Sequence, residues 1–218
     1  MKLIAPIGLG LLAGYFLGSI PFSWILVRAH RGIDMRYYGS RTVSGTMVGV
    51  LVSKPAAVLV GILDILKALV PVYAGRLLMP DSFLPEAIGV GVFLGHSWPV
   101  WLGFQGGRGV SVILGSLIPV FPLGPLVILV GLGLGKIFRA GAIMVIVSLA
   151  LLPVLALSLH QPMPVANFCF FLFLLTVIKR LEANREPLPK RGKLLVLIRR
   201  LLLDRDIADY QKWLSRKP

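Results

Sequence analysis

Long apolar runs, separated by short segments that carry most of the charge, constrain this sequence more than any other feature. They lie at residues 3–27, 55–78, 83–103, 109–122, 124–137, 140–160 and 162–178. About 20 consecutive apolar residues cross the hydrocarbon layer of a bilayer as an α-helix, which satisfies its own backbone polar groups there. With 56% hydrophobic and 15% charged residues, the 218-residue chain carries more apolar side chain than a soluble fold of that size buries. The expected fold class is all-α: a polytopic membrane protein with about seven transmembrane helices.

The first run exceeds the ~7–15 residues of a signal-peptide core, so it is expected to stay as the first helix. Pro119, Pro122 and Pro125 interrupt the fourth and fifth runs, which read either as two helices or as one kinked helix. Charge separates these readings. Arg28, Arg31, Arg36, Arg41 and Lys54 follow the first run, Arg108 the third, and Lys136 and Arg139 the fifth, while 12 of the 23 Lys and Arg residues come after Ile178. Seven crossings put all these clusters on one face and leave little beyond Lys2 and Arg76 on the other. The positive-inside bias makes the basic face cytosolic and the amino terminus external.

The net charge of +14 is thereby explained by topology. The cations do not interleave with aromatics as a single-stranded nucleic-acid groove requires, so the expected partner is the lipid bilayer and not nucleic acid. A single cysteine, Cys169, excludes an intrachain disulfide and a Cys-based zinc site, and no metal or cofactor is expected. Gly10, Gly14 and Gly18 share one face of the first helix, as Gly131 and Gly135 do on the fifth, which permits close helix packing.

The chain divides into a membrane domain at 1–192 and a basic tail at 193–218. In the tail Leu194, Leu197, Ile198, Leu201, Leu202, Tyr210, Trp213 and Leu214 recur at roughly helical spacing against Arg199, Arg200, Asp204, Arg205 and Asp209. This pattern reads as an amphipathic helix on the inner leaflet, or as a small appendage packed on the cytosolic loops.

Three polar features break the apolar pattern. In Gly95-His96-Ser97-Trp98-Pro99-Val100-Trp101-Leu102-Gly103-Phe104-Gln105-Gly106-Gly107-Arg108-Gly109-Val110 a glycine-rich turn with one cation opens a helix. Exposed backbone N–H groups, the positive end of a helix and a bidentate guanidinium suit a phosphate. The segment from Arg31 to Thr46, rich in hydroxyls, glycine and arginine, is suited either to covering a second phosphate or only to setting topology. Asp64 and Lys67, three apart inside the second run, share a helix face as an intramembrane ion pair, functional or a packing pin.

Taken in order, these segments resemble the acyl-phosphate glycerol-3-phosphate acyltransferase family of the PlsY type, small bacterial membrane enzymes. The resemblance runs from about Leu17 to Glu186. It is carried by Gly18-Ser19-Ile20-Pro21-Phe22, Gly32-Ile33-Asp34 with Arg36, Tyr38-Gly39-Ser40, Asp64 with Lys67, the stretch Gly95–Val110, and Ile178-Lys179-Arg180-Leu181 with Glu186. It implies transfer of a fatty acyl group from acyl phosphate to the sn-1 hydroxyl of glycerol 3-phosphate at the cytosolic face of the bacterial inner membrane. On the matching positions it implies that Ser40, His96 and Arg108 act at the reacting centre. Gly39, Arg41, Thr46, Gly106, Gly107, Gly109, Arg139, Lys179 and Arg180 would hold the two substrates.

The sequence departs from the family pattern at several of its polar positions. Arg41 and Thr42 replace a Gly-Asn pair, Ser44-Gly45-Thr46-Met47 stands for Gly-Ala-Thr-Asn, and Val50 for an arginine. Leu174 and Val177 replace a histidine and an asparagine, and after Arg139 the chain continues Ala140-Gly141-Ala142 in place of a tyrosine and serine. Loss of a donor to developing charge costs on the order of 2–4 kcal/mol of transition-state stabilisation. Two readings therefore stand side by side: an acyltransferase with a rearranged site, or a non-catalytic relative that binds a phosphorylated lipid or glycerol phosphate.

Overall fold

A computed structural model describes residues 4–216. Lys2, Leu3, at which the first expected span opens, and residues 217–218 of the tail lie outside the described residues. Among the described residues the chain forms α-helices and short 3-10 turns and no strand. The α-helices are α1 (Ile4–Gly18), α2 (Phe22–Arg31), α3 (Gly45–Leu51), α4 (Lys54–Leu78), α5 (Leu84–Ser97), α6 (Val110–Val120), α7 (Leu123–Ile137), α8 (Gly141–Ser158), α9 (Met163–Glu182), α10 (Lys193–Leu203) and α11 (Tyr210–Leu214).

The segments Ile4–Arg31, Lys54–Leu78, Gly141–Ser158 and Met163–Arg185 are long and apolar enough to cross a bilayer. The proline-rich stretch resolves into two helices, α6 and α7, parted at Phe121 and Pro122. With 11 residues α6 is only ~16 Å long, about half the hydrocarbon thickness. The expected first span is also broken. Pro21 has no N–H to continue the ladder, so the chain leaves the helix at Ser19–Pro21 before α2 begins.

Glycine sets the closest helix contacts. Gly14 and Gly18 press on the carbonyls of Ile88 and Val92 in α5, while Gly91 and Gly95 meet those of Leu11 and Tyr15 in α1. The stripe seen in the sequence thus has a matching stripe on α5, and the two backbones touch without side chains between them. Gly131 and Gly135 similarly face Ser148 and Gly141 of α8. Around these contacts Phe93, Ile113, Leu117, Leu149, Leu152, Phe168 and Leu172 form an apolar core, and residues such as Val58, Val70 and Val154 point outward.

A second apolar cluster lies under the polar loops, built from Val27, Met35, Val43, Met47, Val48 and Leu102. Asp34 starts a 3-10 turn by accepting from the Arg36 N–H at 3.0 Å and pairs with the Arg36 guanidinium, which donates to the Leu102 carbonyl at 2.8 Å. This motif fastens one loop to the next. The tail also packs here: Leu214 lies against the cluster, and the Gly39 N–H donates to the Arg216 carbonyl at 2.9 Å. Arg200 of α10 is buried, donating to the carbonyls of Leu181 and Glu186, while Leu194, Leu195 and Ile198 on its other side stay exposed.

Replacing Gly14 by leucine drives a side chain into the Ile88 carbonyl, which belongs to a helix backbone and has no rotamer to escape by. A loss of folded stability of at least about 1–3 kcal/mol is expected, read as a lower thermal unfolding midpoint in detergent. Burial pushes the Asp34 carboxyl up, but hydrogen bonds and charge from Arg36 outweigh it and hold it below its ordinary value. Its stabilising contribution is complete above the ordinary carboxylate range and is lost as pH falls through the lowered value. Between pH 7 and pH 3 the parent protein should therefore lose more thermal stability than Asp34→Asn.

Candidate active site

Where the polar loops meet the ends of α4, α5, α6, α7, α8 and α9, the fold forms a half-open cavity of about 1150 Å³. Its polar side begins with a relay of hydroxyls. Ser40 Oγ lies 2.6 Å from Thr42 Oγ1, which lies 3.1 Å from Ser44 Oγ, and the Ser44 hydroxyl accepts from the Met47 N–H to cap α3. Ser40 and Thr46 both line the cavity, and so do Thr42 and Ser44.

Arg108 enters from the glycine-rich turn. Its Nη1 donates to the Lys179 carbonyl near the end of α9 at 3.0 Å, and its Nε sits 2.8 Å from Asp204 Oδ1. That ion pair is aligned too poorly for a hydrogen bond, so it holds by charge alone. Gly109, at φ +81°, turns the chain into α6, whose first residues Val110 and Ser111 also line the cavity. No side chain caps this helix, so its leading N–H groups lack a side-chain partner, and its positive end lies beside the cavity.

His96 lies at the base, where the Asp64–Lys67 pair acquires a role the sequence does not reveal. Lys67 Nζ is 2.8 Å from Asp64 Oδ1, 3.1 Å from His96 Nδ1 and 2.9 Å from the Ile20 carbonyl. The last acceptor lies in the break between α1 and α2 and also accepts from the Phe22 N–H at 3.2 Å. Since an ammonium only donates, His96 Nδ1 is the acceptor and the ring proton resides on Nε2, beside Gly107. Asp64, Lys67 and His96 thus orient one imidazole at the cavity wall.

Cations surround the space. Arg180 is buried, with Nη1 on the Leu201 carbonyl at 2.8 Å and Nη2 on the Ala142 carbonyl at 2.9 Å. Lys136 and Arg139 stand exposed at the rim, and neither pairs with a carboxylate among the described residues. Leu132, Val145 and Ala142 give the same cavity an apolar wall continuous with α7 and α8.

Five expected residues stand outside it. Gly39, at φ +52°, serves the tail contact, since a Cβ there would meet Met47 and the Leu214 carbonyl. Arg41, at φ +54°, turns away to pair with Glu186 at 2.6 Å, so it does not supply the missing guanidinium at the cavity. Gly107 does not offer a free N–H group to an anion, and the Gly106 carbonyl is engaged as well. The Gly107 N–H donates to the His96 carbonyl at 3.1 Å, and Gly106 accepts from Val43 and Asn184; a side chain at either would strike His96. Lys179 is fully buried, 3.0 Å from Glu182 and over the Trp98 ring, because it lies about 100° around α9 from Arg180. Thr176, one turn before Arg180, lines the cavity instead, whereas Leu174 faces outward.

Comparison with known proteins gives the same arrangement a context. Residues 8–189 match the family model described as glycerol-3-phosphate acyltransferase. The chain is 31% identical over 215 residues to "Glycerol-3-phosphate acyltransferase 5" of Dehalococcoides mccartyi, covering 94% of this chain and 91% of that protein. It is 34% identical over 194 residues to the glycerol-3-phosphate acyltransferase of a Jannaschia species, covering 86% and 94%. The crystal structure of PlsY (YgiH), described as an integral membrane glycerol 3-phosphate acyltransferase, superposes in its glycerol 3-phosphate form with TM-score 0.73 at 30% identity, covering 88% of this chain and 98% of that one. Its lysophosphatidic acid form gives 0.74 at 26% identity, covering 95% and 98%.

Asp64→Asn should leave the Lys67 ammonium buried without its counter-charge and cost about 3–5 kcal/mol of stability, measured by thermal unfolding in detergent. Replacing both, Asp64→Leu with Lys67→Met, should recover most of that loss while still impairing any function that depends on His96.

Proposed function

Because the chain belongs to the glycerol-3-phosphate acyltransferase family, we propose that it transfers a fatty acyl group from acyl phosphate to the sn-1 hydroxyl of glycerol 3-phosphate. The products are lysophosphatidic acid and inorganic phosphate. The observation that carries this reading is one cavity holding Arg108, Arg180, Lys136 and Arg139 on its charged side and an apolar wall on the other. A phosphorylated, water-soluble acceptor and an acyl chain both find suitable surroundings in it.

Acyl phosphate is a mixed anhydride and needs no covalent activation by the protein. The acceptor oxygen forms a bond to the carbonyl carbon, the bond from that carbon to the phosphate oxygen breaks, and the phosphate departs with the electron pair. The hydroxyl proton passes to the leaving phosphate or to a base beside it. Catalysis then consists of holding two anions together and offsetting the charge that develops between them. Arg108, with the first turn of α6, is assigned to a phosphate. Ser40 and the hydroxyls joined to it are assigned to aligning the acceptor, and His96 to the reacting centre.

In the bilayer, the reading places seven crossings with the amino terminus outside and this cavity at the cytosolic face of a bacterial inner membrane. The basic tail adds a second contact, with the exposed leucines of α10 seated on the inner leaflet. Glycerol 3-phosphate then enters from the cytosol and acyl phosphate from the membrane.

The test is turnover by the purified protein in lipid. Acyl phosphate with glycerol 3-phosphate should give lysophosphatidic acid, an acyl thioester donor should not, and Arg108→Ala should lower kcat/KM by about 10²–10³-fold. Glycerol 3-phosphate binding with no product above a boiled control would overturn the enzymatic reading in favour of a non-catalytic binding protein.

A further inference from the structure

Residues 203–213 form one side of the cavity, although the match to the family model ends at residue 189. We propose that this segment is a strap over the anion site, with the Asp204 carboxylate occupying the place on Arg108 that a substrate phosphate must take. The proposal rests on the reading of the cavity as a phosphate-binding site.

The strap has fixed ends and an irregular middle. At one end, Arg200 donates to the carbonyls of Leu181 and Glu186 and pairs with Asp206, and the Leu201 carbonyl accepts from Arg180. At the other, the Arg216 carbonyl accepts from Gly39, and Asp209 caps α11 through the N–H groups of Gln211 and Lys212. Between them residues 204–208 form bends without helix. Asp204 itself ends α10 at φ +55°, a left-handed conformation that disfavours a side chain.

The contact that closes the strap is of a kind an anion displaces. Arg108 Nε and Asp204 Oδ1 are 2.8 Å apart, yet each is buried without a hydrogen bond. A phosphate brings several acceptor oxygens and higher charge, and engages a guanidinium in two parallel hydrogen bonds. The other group on Arg108, the Lys179 carbonyl, is fixed in α9 and does not compete. An internal carboxylate at this position keeps Arg108 neutralised between turnovers and weakens anion binding by the fraction of time it occupies the site. Arrival of a phosphate releases Asp204 and loosens the bends, while Asp206 stays held by Arg200.

The experiment uses the full chain in lipid nanodiscs with inorganic phosphate as the probe. Hydrogen exchange across residues 203–213 should quicken on adding phosphate, the reverse of the usual protection by a ligand. Asp204→Asn should exchange quickly there without phosphate and bind phosphate at least about fivefold tighter by calorimetry. Unchanged or slower exchange in the parent protein on adding phosphate overturns the strap, and so does an Asp204→Asn protein that binds phosphate no tighter. The parent measurement stands even if the variant fails to fold. Acyl transfer without phosphate-driven exchange would sink the strap alone, whereas phosphate-driven exchange without acyl transfer would sink the acyltransferase reading alone.

Discussion

A cation taken out of water must find an acceptor, and here five of them find a main-chain carbonyl at or near a helix end or turn. Lys67 reaches Ile20, Arg36 reaches Leu102, Arg108 reaches Lys179, Arg180 reaches Leu201 and Ala142, and Arg200 reaches Leu181 and Glu186. Three of these carbonyls, those of Lys179, Leu181 and Leu201, lie in the last turn of a helix, where the carboxyl end carries partial negative charge and favours a cation. The same contacts bind the polar loops and the tail to the ends of the apolar helices. Without them the loops have little reason to converge on one cavity.

The close glycine packing of α1 against α5 serves the same end from within the helix layer. It brings the broken turn at Ile20 and Pro21 beside α5, which lets Lys67 bridge the Ile20 carbonyl and His96. An intramembrane ion pair that looks isolated in the sequence becomes the support of a histidine at the cavity wall. Arg108, set by Gly109 at the start of α6, faces the same cavity from a second direction.

Most of the apolar helices, the glycine stripes, the loop bearing Arg108 and the hydroxyl segment around Ser40 were legible in the sequence, because periodicity and unusual composition mark them, whereas the break at Pro21 and the short α3 were not. What lay beyond it was decided by orientation. Gly106 and Gly107 suggest an anion cradle by composition, but the Gly107 N–H is engaged by the His96 carbonyl and the Gly106 carbonyl by Val43 and Asn184. Lys179 and Arg180 are adjacent in sequence, and a single residue step around α9 sends one to Trp98 and the other to the cavity. Arg41 is withdrawn by Glu186, a partner 145 residues away that no local pattern announces. The tail's hydrophobic spacing allowed either a surface helix or an appendage packed on the loops, while burial of Arg200 and the approach of Asp204 to Arg108 depend on tertiary contacts alone.

The central claim is that these convergent groups receive a phosphorylated acceptor inside the cavity. A structure determined with glycerol 3-phosphate bound tests it most directly. The account places its phosphate within hydrogen-bonding distance of Arg108 or Arg180 and its free hydroxyls toward Ser40 and His96. Occupancy at any site that touches none of these four residues would contradict it.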